Sequence, residues 1–319
     1  MKLITICLLL LSFGLQAQRE YNVLPKWKKG DVRYAKHVAS STVSVNGEVI
    51  QSTDVTSNYT IKVLEIGEFY TLEFTQKSDQ YDIDVSINDG SQDSMQVLMN
   101  ELMSIISELS SEFKFKVLLD KENGQAFELL NSDEFIELVK EGSKAVFEEI
   151  VKFNNREKVD LDDRVNEYLE EVSPQMIETI LNGLNYLFQC YTFVCEINGE
   201  TSEEVMVHDI NTLGAMGDTE VPAIVSVAST KRGSTLDILV DYQYDQTEFL
   251  KVIRNSSPDF SEMQTKDFIL EEVQEFEFDM KSTWPNSSMS SVTFQMTFPD
   301  DSGMVRVEDF TTVVYSKTP

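Results

Sequence analysis

The sequence predicts an α+β protein: a long, curved, half-barrel-like antiparallel sheet with a block of helices inserted in its middle. Three observations predict it. Alternating apolar and polar runs, punctuated by Asn-Gly-type turns, fill both ends of the chain. Apolar residues at helical spacing gather between them, from about 92 to 189. No low-complexity linker or fixed-period repeat divides the 319 residues. The chain past residue 17 therefore reads as one domain, 18–319. It has an N-terminal β-meander at 18–90, a mainly helical insert at 91–190 with a hairpin at 113–130, and a C-terminal β region at 191–319.

Composition bounds the function classes. Hydrophobic residues make up 41% and charged residues 25%, a globular mixture able to bury a core. Lys and Arg number 26 against 55 Asp and Glu, for a formal charge of −29. Nucleic acid and anionic membrane surfaces would repel such a chain and are excluded as partners.

The first segment reads as a secretory signal peptide, residues 1–17. Lys2 supplies a short positive start, Leu3 to Leu11 is almost wholly apolar, and Leu15-Gln16-Ala17 ends in a small residue that a signal peptidase accepts. The apolar run is shorter than the ~20 residues that span a bilayer, so an anchor is not expected, and no integral membrane segment remains after cleavage. Cys7 lies at the start of that run, not after it, which argues against lipid attachment. The expected location is secreted or periplasmic.

The meander follows. Val43, Val45 and Val49 flank Asn46-Gly47, a hairpin signal. Ile61 and Val63, then Phe69 to Phe74, flank a reversal at Gly67-Glu68. Ile83, Val85 and Ile87 alternate with Asp82, Asp84 and Ser86, giving one wet face. The segments between turns exceed ordinary strand lengths, so bends or bulges are expected near 51–58 and 75–81, and with them a curved sheet.

The period then changes. Met95, Leu98, Met99, Leu102, Met103, Ile106 and Leu109 mark one helical face. A hairpin at 113–130 turns about Glu122-Asn123-Gly124. Helices are expected over 132–153, 160–172 and 174–189, the last starting at an N-cap and N1 pair, Ser173-Pro174. Strands resume at 191–197 and 202–208 about Asn198-Gly199. A loop covers 209–221. A hairpin at 223–230 and 234–244 turns at Arg232-Gly233, and a short helix covers 246–254. The terminal meander alternates Phe276, Phe278 and Met280, then Val292, Phe294, Met296 and Phe298, then Val305, Val307, Val313 and Tyr315.

Chemistry-bearing patterns are few. His37 and His208 form no H-E-x-x-H or other paired spacing, and His37 reads as a strand-face residue. There is no G-x-S-x-G elbow, P-loop or dinucleotide-binding glycine turn. Asp82, Asp84, Ser86 and Asn88 have calcium-loop spacing, but Ile87 stands where that loop needs Gly, and Asp93 where it needs Glu. Asp160, Asp162 and Asp163 fail in the same way, with Val165 at the glycine position. Glu275, Glu277 and Asp279 share one strand face opposite Phe276, Phe278 and Met280, which makes them solvated outward residues. Hence no catalytic, cofactor-binding or metal-ligating residue is assigned, and no cofactor is implied. Sequons occur at Asn58, Asn255 and Asn286.

Two features remain open. Met95, Met99, Leu102, Met103 and Ile106 form either a core-packing stripe or a flexible apolar surface for a lipid or hydrophobic peptide. Cys190 and Cys195 are either bridged, which requires a chain reversal between them, or free thiols.

In its ordering the chain resembles a family of secreted bacterial proteins of uncharacterised activity. The features that carry the resemblance are the signal peptide, the opening Lys29-Gly30-Asp31 with Tyr34, the hairpin Phe115-x-Val117-x-x-Asp120 with Gly124, and Ser282-Thr283-Trp284-Pro285 before the terminal meander. The resemblance implies no activity and no catalytic residues. At the level of fold, the order is also similar to periplasmic lipoprotein carriers, in which a curved antiparallel sheet holds helices against its concave face.

The expected function is accordingly an exported, non-enzymatic protein. It would bind a hydrophobic ligand or a protein partner in a groove between sheet and helices, the partner being an apolar small molecule, a lipid or an envelope protein. The alternatives are a secreted hydrolase using acidic residues and a structural or partner-binding module of the cell envelope.

Overall fold

The computed structural model describes residues 20–85, 113–153, 161–209, 220–256, 267–298 and 303–319. Residues 1–17, where a signal peptide is expected, and the methionine-bearing segment 92–110 lie outside them.

Eleven strands form a single open antiparallel sheet. The first half is a meander of β2 (Val32–Val45), β3 (Glu48–Ile66), β4 (Tyr70–Val85), β5 (Lys114–Leu119) and β6 (Ala126–Leu129). The second half is a meander of β8 (Glu200–Asp209), β9 (Glu220–Arg232), β10 (Thr235–Tyr244), β11 (Asp267–Asp279), β12 (Pro285–Thr297) and β13 (Met304–Ser316). The last strand, β13, pairs with β2 and joins the halves, which leaves β6 and β8 as the two edges. A two-stranded ribbon of β1 (Glu20–Asn22) and β7 (Val194–Glu196) stands apart from this sheet. Between β6 and β7 the chain forms α1 (Ser132–Phe153), α2 (Leu161–Phe188) and a 3-10 turn at Gln189–Thr192; α3 (Gln246–Ser256) follows β10.

The long strands form because their inward residues are apolar. Ile61, Val63, Leu72, Phe74, Val117, Leu236, Ile238, Phe278 and Val313 are almost fully buried. The strand length is accommodated by bulges at Thr56/Ser57 and Val63/Glu65, and the first of these falls within the stretch where the polar sequence calls for a bend. Asn46 and Gly47 both have positive φ, the two-residue turn that an Asn-Gly hairpin favours.

The sheet curls around an aromatic hub. Trp27 stacks on Trp284 with centroids 4.1 Å apart, and also meets Tyr70, Phe188 and Tyr191 within 6 Å. The Tyr191 hydroxyl donates to Thr283 O at 2.5 Å, and its ring lies 5.6 Å from that of Phe278 on β11. On its other side Tyr191 presses against Gly124 in the β5–β6 turn. Strands β5 and β11 are six places apart, which is roughly 29 Å in a flat sheet. One side chain can touch both regions only if the sheet bends toward it.

Three expectations need correction. The helix break at Ser173-Pro174 does not occur: α2 runs through Pro174. The Ser173 hydroxyl bonds back to Leu169 O instead of capping a new helix. Packing of α2 on β6 and on α1 holds the helix together across the missing N–H. The strand expected over 191–197 is a 3-10 turn followed by the three-residue β7, because Tyr191 is drawn into the hub. The alternation expected at Phe276, Phe278 and Met280 belongs to a strand that begins earlier, at Asp267, and ends at Asp279.

Two changes test the hub. Trp27→Ala should lower stability by about 3–5 kcal/mol, read as a urea midpoint shift at unchanged slope. At Gly124, φ is +69° and an added Cβ would sit 2.7 Å from Tyr191 Cβ, so Gly124→Ala should cost about 1–3 kcal/mol in the same measurement.

Candidate functional site

Strand register places the inward residues on lines that cross the sheet. One line runs Tyr242, Glu272, Val292, Asp309, Ser41 and Thr53, from β10 to β3. The next runs Val240, Gln274, Ser290, Thr311, Ala39 and Val55, and the one nearest the hub runs Ile238, Phe276, Ser288, Val313, His37 and Ser57. Alternation puts all of them on the face that carries the core residues Ile238, Phe276, Phe278 and Val313.

Away from the hub the apolar lining gives out. Ala39, Ser41, Val55, Ser290 and Thr311 are small and only partly buried, although they continue the core face. Beside them sits a buried polar group. Glu272 is 6% exposed and Gln274 2%. The Gln274 Nε2 donates to Glu272 Oε1 at 2.6 Å, and the Tyr244 hydroxyl donates to the other carboxylate oxygen. Burial, with Glu272 beside them, raises the pKa of Tyr242 and Tyr244 far above the usual phenol value, which keeps both as neutral donors. Burial also pushes the Asp309 carboxyl up, and a bond from the Ser41 hydroxyl offsets this in part. Gln274 Oε1, Ser288 Oγ and Asp309 Oδ1 are buried without a hydrogen-bond partner. His37 lies on the same face with its pKa lowered by burial.

The outer face carries a hollow. A depression of 590 Å³ crosses β9 to β13 and is lined by Leu239, Asp237, Glu275, Glu277, Met289 and Val314 among others. Most of its lining alternates with the inward set, and Ile238, Phe276 and Ser288 of that set also border it. Glu275, Glu277 and Asp279 lie on this side, as their spacing predicts. The Asp279 carboxyl is pulled below its usual range by the Ser282 hydroxyl and by the Lys281 and Ser282 N–H groups.

The candidate ligand-binding residues Met95, Met99, Leu102, Met103 and Ile106 lie outside the described residues. Cys190 and Cys195 are buried free thiols. Burial raises the pKa of both, with a Ser229 hydrogen bond opposing it at Cys195, so neither has the character of a reactive thiolate. His208 is on β8, opposite Val221. Among the described residues no group of three or more His, Cys, Asp or Glu is placed to hold a metal ion. No described helix is long and apolar enough to cross a membrane.

Glu272, Gln274, Ser288 and Asp309 were not singled out from the sequence, though the signal was present. Counting back by twos from Phe278 and Phe276 reaches Gln274 and Glu272, and counting on from Val305 and Val307 reaches Asp309. Polar residues at core parity mark buried polar groups or a ligand-facing stretch.

No protein-family model matches this chain, and no curated protein matches it. Among solved structures, one described as lipid-protein interactions in lipovitellin aligns at a TM-score of 0.45 and 11% identity. The alignment covers 92% of this chain and 26% of that one, so this chain spans about a quarter of its length.

The inner face makes a signed pH prediction. A carboxyl whose folded pKa is raised destabilises the fold as pH climbs from its ordinary value, near 4, through the folded one. Asp309→Asn should therefore gain thermal stability over the parent as pH rises from 4 to 7, with no gain below 4. Tyr244→Phe, which strips a donor from the buried Glu272 carboxylate, should cost about 1–3 kcal/mol by urea unfolding.

Proposed function

We propose that this protein is an exported, non-enzymatic binder of a hydrophobic ligand, held on the inner face of the sheet beneath the helical segments. The observation that carries the reading is the stretch of small, only partly buried residues at core parity: Ala39, Ser41, Val55, Ser290 and Thr311. A sheet that only supported a packed core would carry large, fully buried side chains there, as it does at Phe74, Phe278 and Leu236. In this reading the sheet and its helical insert form a half-barrel around the ligand. Met95, Met99, Leu102, Met103 and Ile106 are the candidate residues for adaptable apolar contact with it. The acidic exterior keeps the loaded protein dispersed.

Native mass spectrometry of gently purified protein, followed by solvent extraction, tests this directly. A co-purifying apolar molecule is expected, and a ligand-free protein that also fails to bind Nile red would overturn the reading. Ser290→Phe should displace the ligand, whereas Thr293→Phe on the outer face should leave binding intact. Amino-terminal sequencing of the exported form should begin at Gln18.

The inward Glu272 and Asp309 favour a second reading, a hydrolase using acidic residues. Turnover of chromogenic glycosides that is lost in both Glu272→Gln and Asp309→Asn would establish it in place of the first.

A further inference from the structure

The polar group on the inner face specifies what kind of apolar molecule would fit, an inference that rests on the binding reading above. We propose that the ligand is an amphiphile with a cationic, hydrogen-donating head group, an alkylammonium in its simplest form. Asp309 and Glu272 would receive the head on either side of Val292, with Gln274 Oε1 and Ser288 Oγ on the adjoining lines.

Two independent observations support this. The first is charge. Glu272 and Asp309 lie on one inward line with only Val292 between them, roughly 10 Å apart across the strands. No lysine or arginine occupies the neighbouring inward positions of β10 to β2; these hold Val240, Gln274, Ser290, Thr311 and Ala39 on one side, and Tyr244, Leu270, Phe294, Val307 and Val43 on the other. The second is hydrogen-bond polarity. Among the described residues, the buried atoms without a hydrogen-bond partner include Gln274 Oε1, Asp309 Oδ1 and the Ser288 hydroxyl oxygen. The Gln274 amide orientation is not free, because its Nε2 must face the Glu272 carboxylate, which turns the Oε1 acceptor away. A buried acceptor without a donor costs free energy, and a ligand bringing N–H groups removes that cost. A primary ammonium carries three donors and no acceptor, so it complements this set. An anionic head would add like charge, and a hydroxyl head would satisfy fewer of the acceptors.

The experiment compares three probes of equal chain length below their micellar concentrations, in 0.15 M salt, by isothermal titration calorimetry: decylammonium chloride, decanol and sodium decanoate. Decylammonium should bind at least tenfold more tightly than decanol, and decanoate most weakly. Asp309→Asn and Glu272→Gln should each lower decylammonium affinity at least fivefold while leaving decanol within twofold. Because a chain of charge −29 attracts any cation, the outer-face variant Glu275→Gln/Glu277→Gln serves as control and should leave the ratio unchanged. Glu272→Gln disturbs a buried bonded group and could unfold the chain; Asp309→Asn, at a half-buried site and isosteric, decides the matter if it does. Equal affinities for all three probes, an unchanged ratio in Asp309→Asn, or equal loss in the outer-face control overturns the cationic-head inference and leaves the apolar site standing. If none of the probes binds, both fall.

Discussion

The structure depends on bending an eleven-stranded sheet far enough for its distant strands to share one aromatic cluster. A flat sheet of this width would leave the inward faces of its outer strands without partners. Trp27, Tyr191 and Trp284 solve this by filling the hollow from the side of the chain that does not belong to the sheet: the N-terminal segment, the 3-10 turn and the β11–β12 turn. Each ring belongs to a different connection, so the cluster ties the two meanders and the helical segment together at once. Backbone geometry yields to this demand. Thr283, a β-branched residue, adopts φ +57° so that its carbonyl can accept the Tyr191 hydroxyl while its side-chain oxygen accepts the Lys26 N–H.

Several short sequence motifs acquire a physical meaning here. Gly30 donates to Val63 O, and Asp31 accepts the Lys28 N–H while pairing with Val63. Phe115 and Val117 are core residues, Gly124 makes room for Tyr191, and Thr283 and Trp284 build the hub. Of these, Gly124, Thr283 and Trp284 act at the hub toward which the sheet bends.

Much of the sheet was legible beforehand, because turns and strands are local signals. Asn46-Gly47 fixes the β2–β3 turn, and Arg232-Gly233 with the alternations at 276–280, 292–298 and 305–315 fixes most of the C-terminal register. What was hidden was non-local. Nothing near Ser173-Pro174 reveals that tertiary packing will carry a helix across a proline. Nothing near Tyr191 reveals that its ring belongs between strands six places apart. The candidate site was half legible: the parity of Glu272, Gln274 and Asp309 is written in the alternation. Reading those residues as partners requires the pairing of β11 with β12 and of β12 with β13, which the sequence order suggests but only the register establishes.

An open sheet must also prevent other chains from adding to its ends. At β6 the solution is a side chain: the Asn185 amide of α2 accepts the Ala126 N–H at 2.5 Å and donates to Ala126 O at 3.0 Å, imitating the strand that would otherwise dock there. At β8 the ten residues Glu200–Asp209 include four acids, so a second copy approaching edge to edge would meet its own charge. Polymerisation is thereby opposed at one border by a side chain posing as backbone and at the other by repulsion. The second safeguard weakens with added salt or acid, whereas the first does not.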